Sequence, residues 1–209
     1  MTCTSSCLNQ TWISSSGLLA KWTFDATFAD QTNTYNATSV NSPSFITSGY
    51  VNQALVLNPV SSQYLFTSYI PLISATFTIE LWLYPTGYPN PTDHSILGLC
   101  TDPFNDRCLH ITIRNSTSIY CLYLSFFGDN CSGNTNVPLN QWTHAAFVFD
   151  STTLAMSIYQ NGLLVGHCIT ALSLQGTTNN VTIGYIPGIV TAYGTNYFQV
   201  ELSFLYSQL

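Results

Sequence analysis

The chain has 209 residues, of which only three are basic and nine are acidic, so that 6% of it is charged and its net charge is −6. Three cations are too few to neutralise a nucleic-acid backbone, and an acidic chain is not attracted to an anionic membrane surface. With 46% hydrophobic residues the chain can form a core, yet no stretch approaches the roughly 18 consecutive apolar residues of a membrane span.

The predicted elements begin after residues 1–16, a lead rich in Ser and Thr that shows no hydrophobic periodicity. From residue 17 onward, short stretches alternate between polar and apolar residues, as is typical of half-buried β-strands. The predicted strands are 18–25, 77–84, 108–114, 120–127, 142–150, 154–160, 163–169, 181–186 and 197–205. No stretch has a sustained helical period, so residues 17–209 are predicted to form one all-β domain of two packed sheets with about a dozen strands.

Two of these strands have clearly assigned faces. In 77–84, Phe77 and every second residue after it are apolar and are predicted to face the core. The stretch 108–114 alternates in the same way, and the residues predicted to face outward are His110, Thr112 and Arg114. Between 154–160 and 163–169, the pair Asn161–Gly162 favours a tight hairpin turn.

The polar residues and cysteines indicate an extracellular protein. Ser, Thr and Asn make up 67 residues, and seven cysteines are available as disulfide staples. The alternative is a reduced cytosolic protein with buried thiols. The acceptor sequences for N-glycosylation start at Asn9, Asn36, Asn115, Asn130 and Asn180.

Several segments occur in a characteristic order along the chain. They are Ala20–Asp25, Val51–Asn58, Phe77–Pro85, Leu139–Val148, Tyr159–Gly162 and Val181–Tyr185. In this order they resemble the laminin-G-like jelly-roll domains of the concanavalin-A-like superfamily of lectins and glucanases. The resemblance implies an antiparallel two-sheet jelly roll, and a binding or adhesion module outside the cell.

The glutamates argue against the hydrolytic branch of that superfamily. A glycosidase needs two carboxyl groups roughly 5 to 10 Å apart, and the superfamily's glucanases place paired glutamates on one strand. This chain has two glutamates, Glu80 and Glu201, which are distant in sequence. Glu80 is predicted to have a structural role, with Lys21 as its candidate partner. We therefore expect no enzymatic activity, with glycoside hydrolysis as the least favoured alternative.

A loop between Cys100 and Cys108 gathers the side chains that suit calcium. Asp102, Asn105 and Asp106 lie in it, and Asp129 would join them if its turn lies nearby. Calcium prefers six to eight oxygen ligands, and laminin-G-like domains often hold it at the rim of the sandwich. Calcium is therefore the one expected cofactor. The alternative is an acidic loop held by a disulfide and hydrogen bonds.

Three tyrosines in or beside irregular loops are candidates for sugar binding, because a flat aromatic ring packs against the apolar face of a sugar. They are Tyr88, Tyr185 and Tyr193. The alternative is that they cover the ends of the sandwich.

The spacing of the cysteines favours two short bridges, Cys100–Cys108 and Cys121–Cys131. Three cysteines then remain, Cys3, Cys7 and Cys168. One of them can tie the lead to the hairpin, which leaves another free or available to a second chain.

These observations predict an extracellular, non-enzymatic, lectin-like module that binds a glycan or an extracellular protein. The alternative is a structural subunit of an extracellular coat or filament, which self-associates through its odd cysteine or a contributed strand.

Overall fold

The alternating polar and apolar residues form strands throughout the structure, which is a computed structural model. It describes residues 17–89, 93–100, 104–116, 118–176, 179–187 and 196–208. For residues 203–208 only the backbone is described. Within these ranges there are fifteen strands and one 3₁₀ turn, Pro59–Ser61. The strands are β1 Leu18–Trp22, β2 Thr38–Val40, β3 Ser44–Ile46, β4 Ala54–Leu57, β5 Tyr64–Thr67, β6 Phe77–Pro85, β7 Asp93–Cys100, β8 Cys108–Ser116, β9 Ile119–Ser125, β10 Asn130–Ser132, β11 Thr143–Asp150, β12 Ala155–Gln160, β13 Leu163–Ile169, β14 Val181–Ile183 and β15 Val200–Gln208. The residues of the lead, with Cys3, Cys7 and Asn9, lie outside the described ranges, as do Asp102 and Tyr193.

The strands form two antiparallel sheets packed face to face, which confirms the predicted jelly-roll sandwich. The eight-stranded sheet has the order β13-β12-β11-β6-β15-β4-β3, with β1 paired to the far end of β15. The seven-stranded sheet has the order β10-β9-β8-β7-β14-β5-β2. Strand β15 is an interior strand of its sheet, because it pairs with β6 on one side and with β4 and β1 on the other.

The core lies between the sheets and follows the predicted faces. Phe77, Ile79 and Leu83 of β6 have no exposed surface. At one end of the core, the Phe149 ring packs edge-on against Phe126 at a centroid distance of 4.8 Å and lies 5.7 Å from Phe77. Burial of these large apolar side chains is the main stabilising contribution.

One part of the outer surface differs from the prediction. His110 and Thr112 lie on the outer face of the seven-stranded sheet, as expected, but they are as buried as core residues, with 1% and 0% of their surface exposed. Outward orientation in the strand pattern therefore does not mean solvent exposure here.

The structure confirms one predicted disulfide and corrects the other. Cys100 and Cys108 face each other across β7 and β8 and are bonded. Cys131 is bonded to Cys168, not to Cys121, which is a buried free thiol.

The physical reason for this correction is the pleat of the sheet. Cys131 pairs with Leu124 of β9, and Leu124 faces the core, whereas Cys121 lies on the opposite face three residues away. Cys168 lies on β13, the outer strand of the opposite sheet, so its bridge joins β13 to β10.

Among the described residues, no helix is long and apolar enough to cross a membrane.

Candidate functional site

A pocket of about 520 Å³ opens on the seven-stranded sheet, where β5, β14 and the end of β7 meet. Period-two alternation turns Leu65 and Thr67 of β5 to the core and leaves Tyr64 and Phe66 on the outer face. Thr182 of β14 is paired with Phe66 and lies beside it. The described residues that line the pocket are Tyr64, Phe66, Cys100, Asn179, Asn180, Thr182 and Pro187.

The start of β5 is held by polar contacts that place Tyr64. The 3₁₀ turn before it is capped by Asn58, whose side-chain oxygen accepts a hydrogen bond from the amide of Val60 at 3.0 Å. Gln63 donates from its side-chain amide to the carbonyls of Asn41 and Ser42, each at 3.0 Å. Strand β5 is thereby fixed to the turn between β2 and β3.

The predicted Tyr185 lies next to the pocket and supports its wall. Its ring stacks on Tyr197 with a centroid distance of 4.3 Å and an angle of 10°, and it lies 5.2 Å from the ring of Tyr64. Burial, and then the neighbouring phenols, raise the pKa of Tyr185. The preceding Gly184 has a φ of +86°, and a Cβ there would lie 2.3 Å from Leu57, so the chain turns into the tyrosine cluster at a position that only glycine suits.

The far rim of the pocket is held by Asn196. Its side-chain oxygen accepts a hydrogen bond from the amide of Ile186 and its side-chain nitrogen donates to the carbonyl of Ile186, both at 3.0 Å. Gly98 permits this close packing, because a Cβ there would lie 2.5 Å from Ile186. These contacts hold the backbone next to Pro187, which lines the pocket. Sequence reasoning missed Asn196 because it lies in an irregular stretch with no motif.

The chemistry of the lining is polar and uncharged. Asn179 and Asn180 are exposed, and each side-chain amide offers an acceptor and two donors. Thr182 donates its hydroxyl to the carbonyl of Gly98 at 3.4 Å. Two aromatic rings, two amides and a hydroxyl thus surround the space, and no charged side chain is among the described residues that line it.

The other predicted tyrosines do not join this pocket. Tyr88 stacks on Tyr120 at 4.0 Å and donates its hydroxyl to the carbonyl of Val137 at 2.8 Å. Burial, and then Tyr120, raise its pKa. One ring face and the hydroxyl of Tyr88 therefore make intramolecular contacts. Tyr193 lies outside the described residues.

Three of the four predicted calcium ligands converge at the rim of the sandwich. The carboxyl groups of Asp106 and Asp129 share a hydrogen bond, and burial together with Asp129 raises the pKa of Asp106. Asn105 lies against Gly128, beside Asp129, and Asp129 also accepts a hydrogen bond from the amide of Ala171 at 2.7 Å.

These rim residues supply only part of a calcium shell. Two carboxyl groups and one amide oxygen are fewer than the usual six to eight oxygen ligands. In the described part of the chain, no group of three or more His, Cys, Asp and Glu side chains is arranged to hold a metal ion.

A buried ionic cluster occupies the same sheet, and sequence reasoning missed it as a group. Arg114 donates to both carboxylate oxygens of Asp93, at 2.6 and 2.7 Å. His110 Nε2 lies 3.3 Å from Asp93, and the Arg114 guanidinium lies 3.7 Å from the ring centre of Tyr123. Burial, and then the Arg114 charge, lower the pKa of His110 to about 3. His110 is therefore neutral at pH 7.

On the opposite sheet, a row of aromatic rings faces outward. Tyr50, which is 42% exposed, stacks on Trp82 at 3.5 Å, and Trp142 meets Tyr50 edge-on at 6.1 Å. Glu80 lies beside them, with one carboxylate oxygen 3.8 Å from His144 Nε2. Both side chains are partly exposed to solvent.

The concanavalin A-like lectin/glucanases superfamily model Laminin_G_3 matches residues 59–204, which include all the described residues that line the pocket. Among curated protein sequences, none matches the chain.

Solved structures share the fold at low sequence identity. Domain 4 of AbnA, a GH43 extracellular arabinanase from Geobacillus stearothermophilus solved in complex with arabinotriose, is 17% identical, with 92% of each chain covered and a TM-score of 0.73. A botulinum neurotoxin type C structure, described in terms of interaction with two ganglioside molecules, is 12% identical, with 92% of this chain and 48% of that chain covered and a TM-score of 0.62. A heptameric SAP-like pentraxin from Limulus polyphemus is 19% identical, with coverage of 69% and 68% and a TM-score of 0.52.

Proposed function

Because the chain belongs to the Laminin_G_3 family of the concanavalin A-like lectin/glucanases superfamily, we propose that it is an extracellular, non-enzymatic module that binds a neutral glycan in the pocket of the seven-stranded sheet. The observation that carries this proposal is the lining of the pocket. Tyr64 and Phe66 offer aromatic faces to the apolar side of a sugar ring, while Asn179, Asn180 and Thr182 offer polar groups to its hydroxyls.

The lack of charge in the lining favours a neutral sugar. An acidic saccharide would need a cation to compensate for its desolvation, and a cationic ligand would need a carboxylate. Neither is among the described residues that line the pocket. The arabinanase domain among the neighbours was solved with arabinotriose, which is a neutral saccharide.

The positions of the two glutamates support a module without hydrolase activity. Glu201 of β15 lies opposite Tyr84 of β6, four residues along that strand from Glu80. At the usual rise of about 3.3 Å per residue this is a separation of roughly 13 Å, beyond the range of a glycosidase pair.

The disulfides support an extracellular location. Cys100–Cys108 and Cys131–Cys168 are formed within the described residues, and disulfides persist in oxidising compartments.

The test is saccharide binding by protein made without N-glycans. A glycan array would identify neutral ligands, and calorimetry would give their affinities for the wild type and for Tyr64→Ala and Asn179→Ala. We expect each substitution to weaken binding about tenfold, the effect of losing one stacking or hydrogen-bonding contact of about 1.4 kcal/mol.

The matched control is Tyr50→Ala, which removes an exposed ring from the opposite sheet and should leave the affinity unchanged. Absence of binding to every neutral glycan would refute the proposed function. A loss confined to Tyr50→Ala would move the site to the eight-stranded sheet.

We also propose calcium binding at the rim, where Asn105, Asp106 and Asp129 meet. A divalent ion would compensate the negative charge of the two neighbouring carboxyl groups, and it would need further oxygen ligands. Thermal melts with calcium and with a chelator test this. A rise in melting temperature that Asp129→Asn removes is expected, and equal melting temperatures in calcium and chelator would exclude the site.

Self-association is a second candidate function, favoured by the outer strand β13. Its residues Leu163, Leu164 and Ile169 are 72%, 54% and 64% exposed, and the strand contains no charged residue or proline. Exposed apolar side chains of this kind favour association with a second copy, although the Val165 carbonyl of the strand already accepts a hydrogen bond from the amide of Asn134. Light scattering across a concentration series tests this, with Leu163→Lys expected to reverse any concentration-dependent assembly. A monomer at all concentrations would refute it.

A further inference from the structure

One of the N-glycosylation acceptor sequences forms part of the pocket wall. Asn180–Val181–Thr182 runs from the loop into β14, and both Asn180 and Thr182 line the pocket. They lie two residues apart on the same side of the chain. A glycan attached to Asn180 would therefore begin inside the site.

Asn115 is also exposed but does not line the pocket, and two other acceptor residues in the described part of the chain have different surroundings. Asn36 and Asn130 are exposed, but their side chains already make hydrogen bonds within the domain. Asn36 accepts a hydrogen bond from the amide of Asp30 at 2.9 Å, and Asn130 accepts one from Ser125 at 2.7 Å. Asn180 is exposed and makes no side-chain hydrogen bond within the described residues.

We propose that Asn180 carries an N-linked glycan whose first sugars occupy the pocket of their own chain, so that glycosylation decides whether the site is open to other saccharides. This inference rests on the proposed function, because it concerns the same pocket. Tyr64 and Phe66 would pack against the apolar face of the attached N-acetylglucosamine, and Asn179 would bind its polar groups.

The attachment is a group transfer from a polyprenyl diphosphate-linked oligosaccharide in the secretory pathway. The bond between the sugar C1 and the diphosphate oxygen breaks, and a bond between C1 and Asn180 Nδ2 forms. The amide loses one proton and the polyprenyl diphosphate leaves. No oxidant or reductant is required.

Tethering gives the attached glycan an advantage over a free one. A single small pocket typically binds a short saccharide with a Kd of about 1 mM, whereas a ligand on a short tether has an effective concentration of about 10 mM. The attached sugar would then occupy the site about 90% of the time. A free saccharide should bind the glycosylated chain about tenfold more weakly than the unglycosylated chain.

The experiment compares the same protein sequence with and without N-glycans. Asn9, Asn36, Asn115 and Asn130 are changed to Gln, so that Asn180 is the only acceptor left. The protein is made by secretion from eukaryotic cells and, without N-glycans, in a bacterial periplasm, where disulfides also form. Peptide mass spectrometry measures occupancy of Asn180, and calorimetry measures binding of diacetylchitobiose to both forms. Asn180→Gln secreted from the same eukaryotic cells serves if the bacterial protein fails to fold.

A second readout reports the attached sugar directly. Protons of a sugar packed on an aromatic ring have shifted NMR resonances, and Phe66→Ala should return those of the first N-acetylglucosamine towards their free values. Phe45→Ala, which removes an aromatic ring elsewhere, is the control and should leave them unchanged.

Each outcome is decisive. An unoccupied Asn180, or equal affinity of the two forms for diacetylchitobiose, overturns the inference and leaves the proposed function standing. Ring shifts that depend on Phe66, without binding of any free saccharide by either form, support occupation by the attached glycan and refute the proposed function. Absence of both ring shifts and binding refutes both.

Discussion

His110 is held neutral inside the folded protein, and this makes the stability of the protein depend on pH. Burial, together with the Arg114 charge, lowers its pKa from 6.5 to about 3, while Asp93 and Tyr123 complete its surroundings. Between these pH values the unfolded chain binds a proton that the folded chain does not. The stabilising contribution is therefore fully present above pH 6.5 and is lost as the pH falls towards 3.

The expected magnitude follows from this single proton. One proton taken up only by the unfolded state lowers the free energy of unfolding by about 1.4 kcal/mol per pH unit, or roughly 3 kcal/mol between pH 5.5 and 3.5. His110→Gln keeps a donor towards Asp93 but does not titrate. We expect urea unfolding at several pH values to show a shallower loss of stability for this variant than for the wild type, whatever their difference at pH 7.

The control is His167→Gln, since His167 is exposed on β13. Its pH dependence should match that of the wild type, because this variant retains His110. Equal slopes for the wild type and His110→Gln over this range would show that His110 binds its proton equally in both states, and the reasoning from burial would be wrong.

Two further predictions concern the rim and the second disulfide. Replacing both Cys131 and Cys168 by Ala opens a loop with a sequence separation of 37. In urea titrations this should lower the free energy of unfolding by about 4 kcal/mol. Unchanged stability would show that the bridge does not constrain the unfolded chain. In calcium-free buffer, Asp106→Asn should raise the melting temperature at pH 7, because the pKa of Asp106 is raised above 3.8 and its ionised form is unfavourable in the folded state. This gain should disappear below about pH 3.8, and a lower melting temperature at pH 7 would contradict it.

Local alternation predicted the elements that carry their own pattern. Strand β6 alternates over nine residues, and its buried face is the one expected from sequence. Strands β5 and β7 were not predicted, because β5 has four residues and all eight residues of β7 are buried. These two strands provide much of the pocket, so the site depends on the elements with the weakest sequence signals.

Contacts between segments that are distant in the sequence also could not be predicted from local patterns. The Cys100–Cys108 bridge could be predicted because its ends are neighbours in sequence and in the sheet. The partner of Cys131 could not, because it is set by which outer strands of the two sheets meet. The meeting of Tyr64 with Tyr185 likewise depends on the pairing of β5 with β14, which no local pattern records.

The Cys131–Cys168 bridge also closes one side of the sandwich. It joins β10 and β13, the outer strands of the two sheets on that side. On the other side the outer strands are β2 and β3, and the chain passes directly from one to the other through residues 41–43. Each side is therefore fastened by a covalent connection between the sheets, one by a disulfide and the other by the backbone, and a reductant releases only the first.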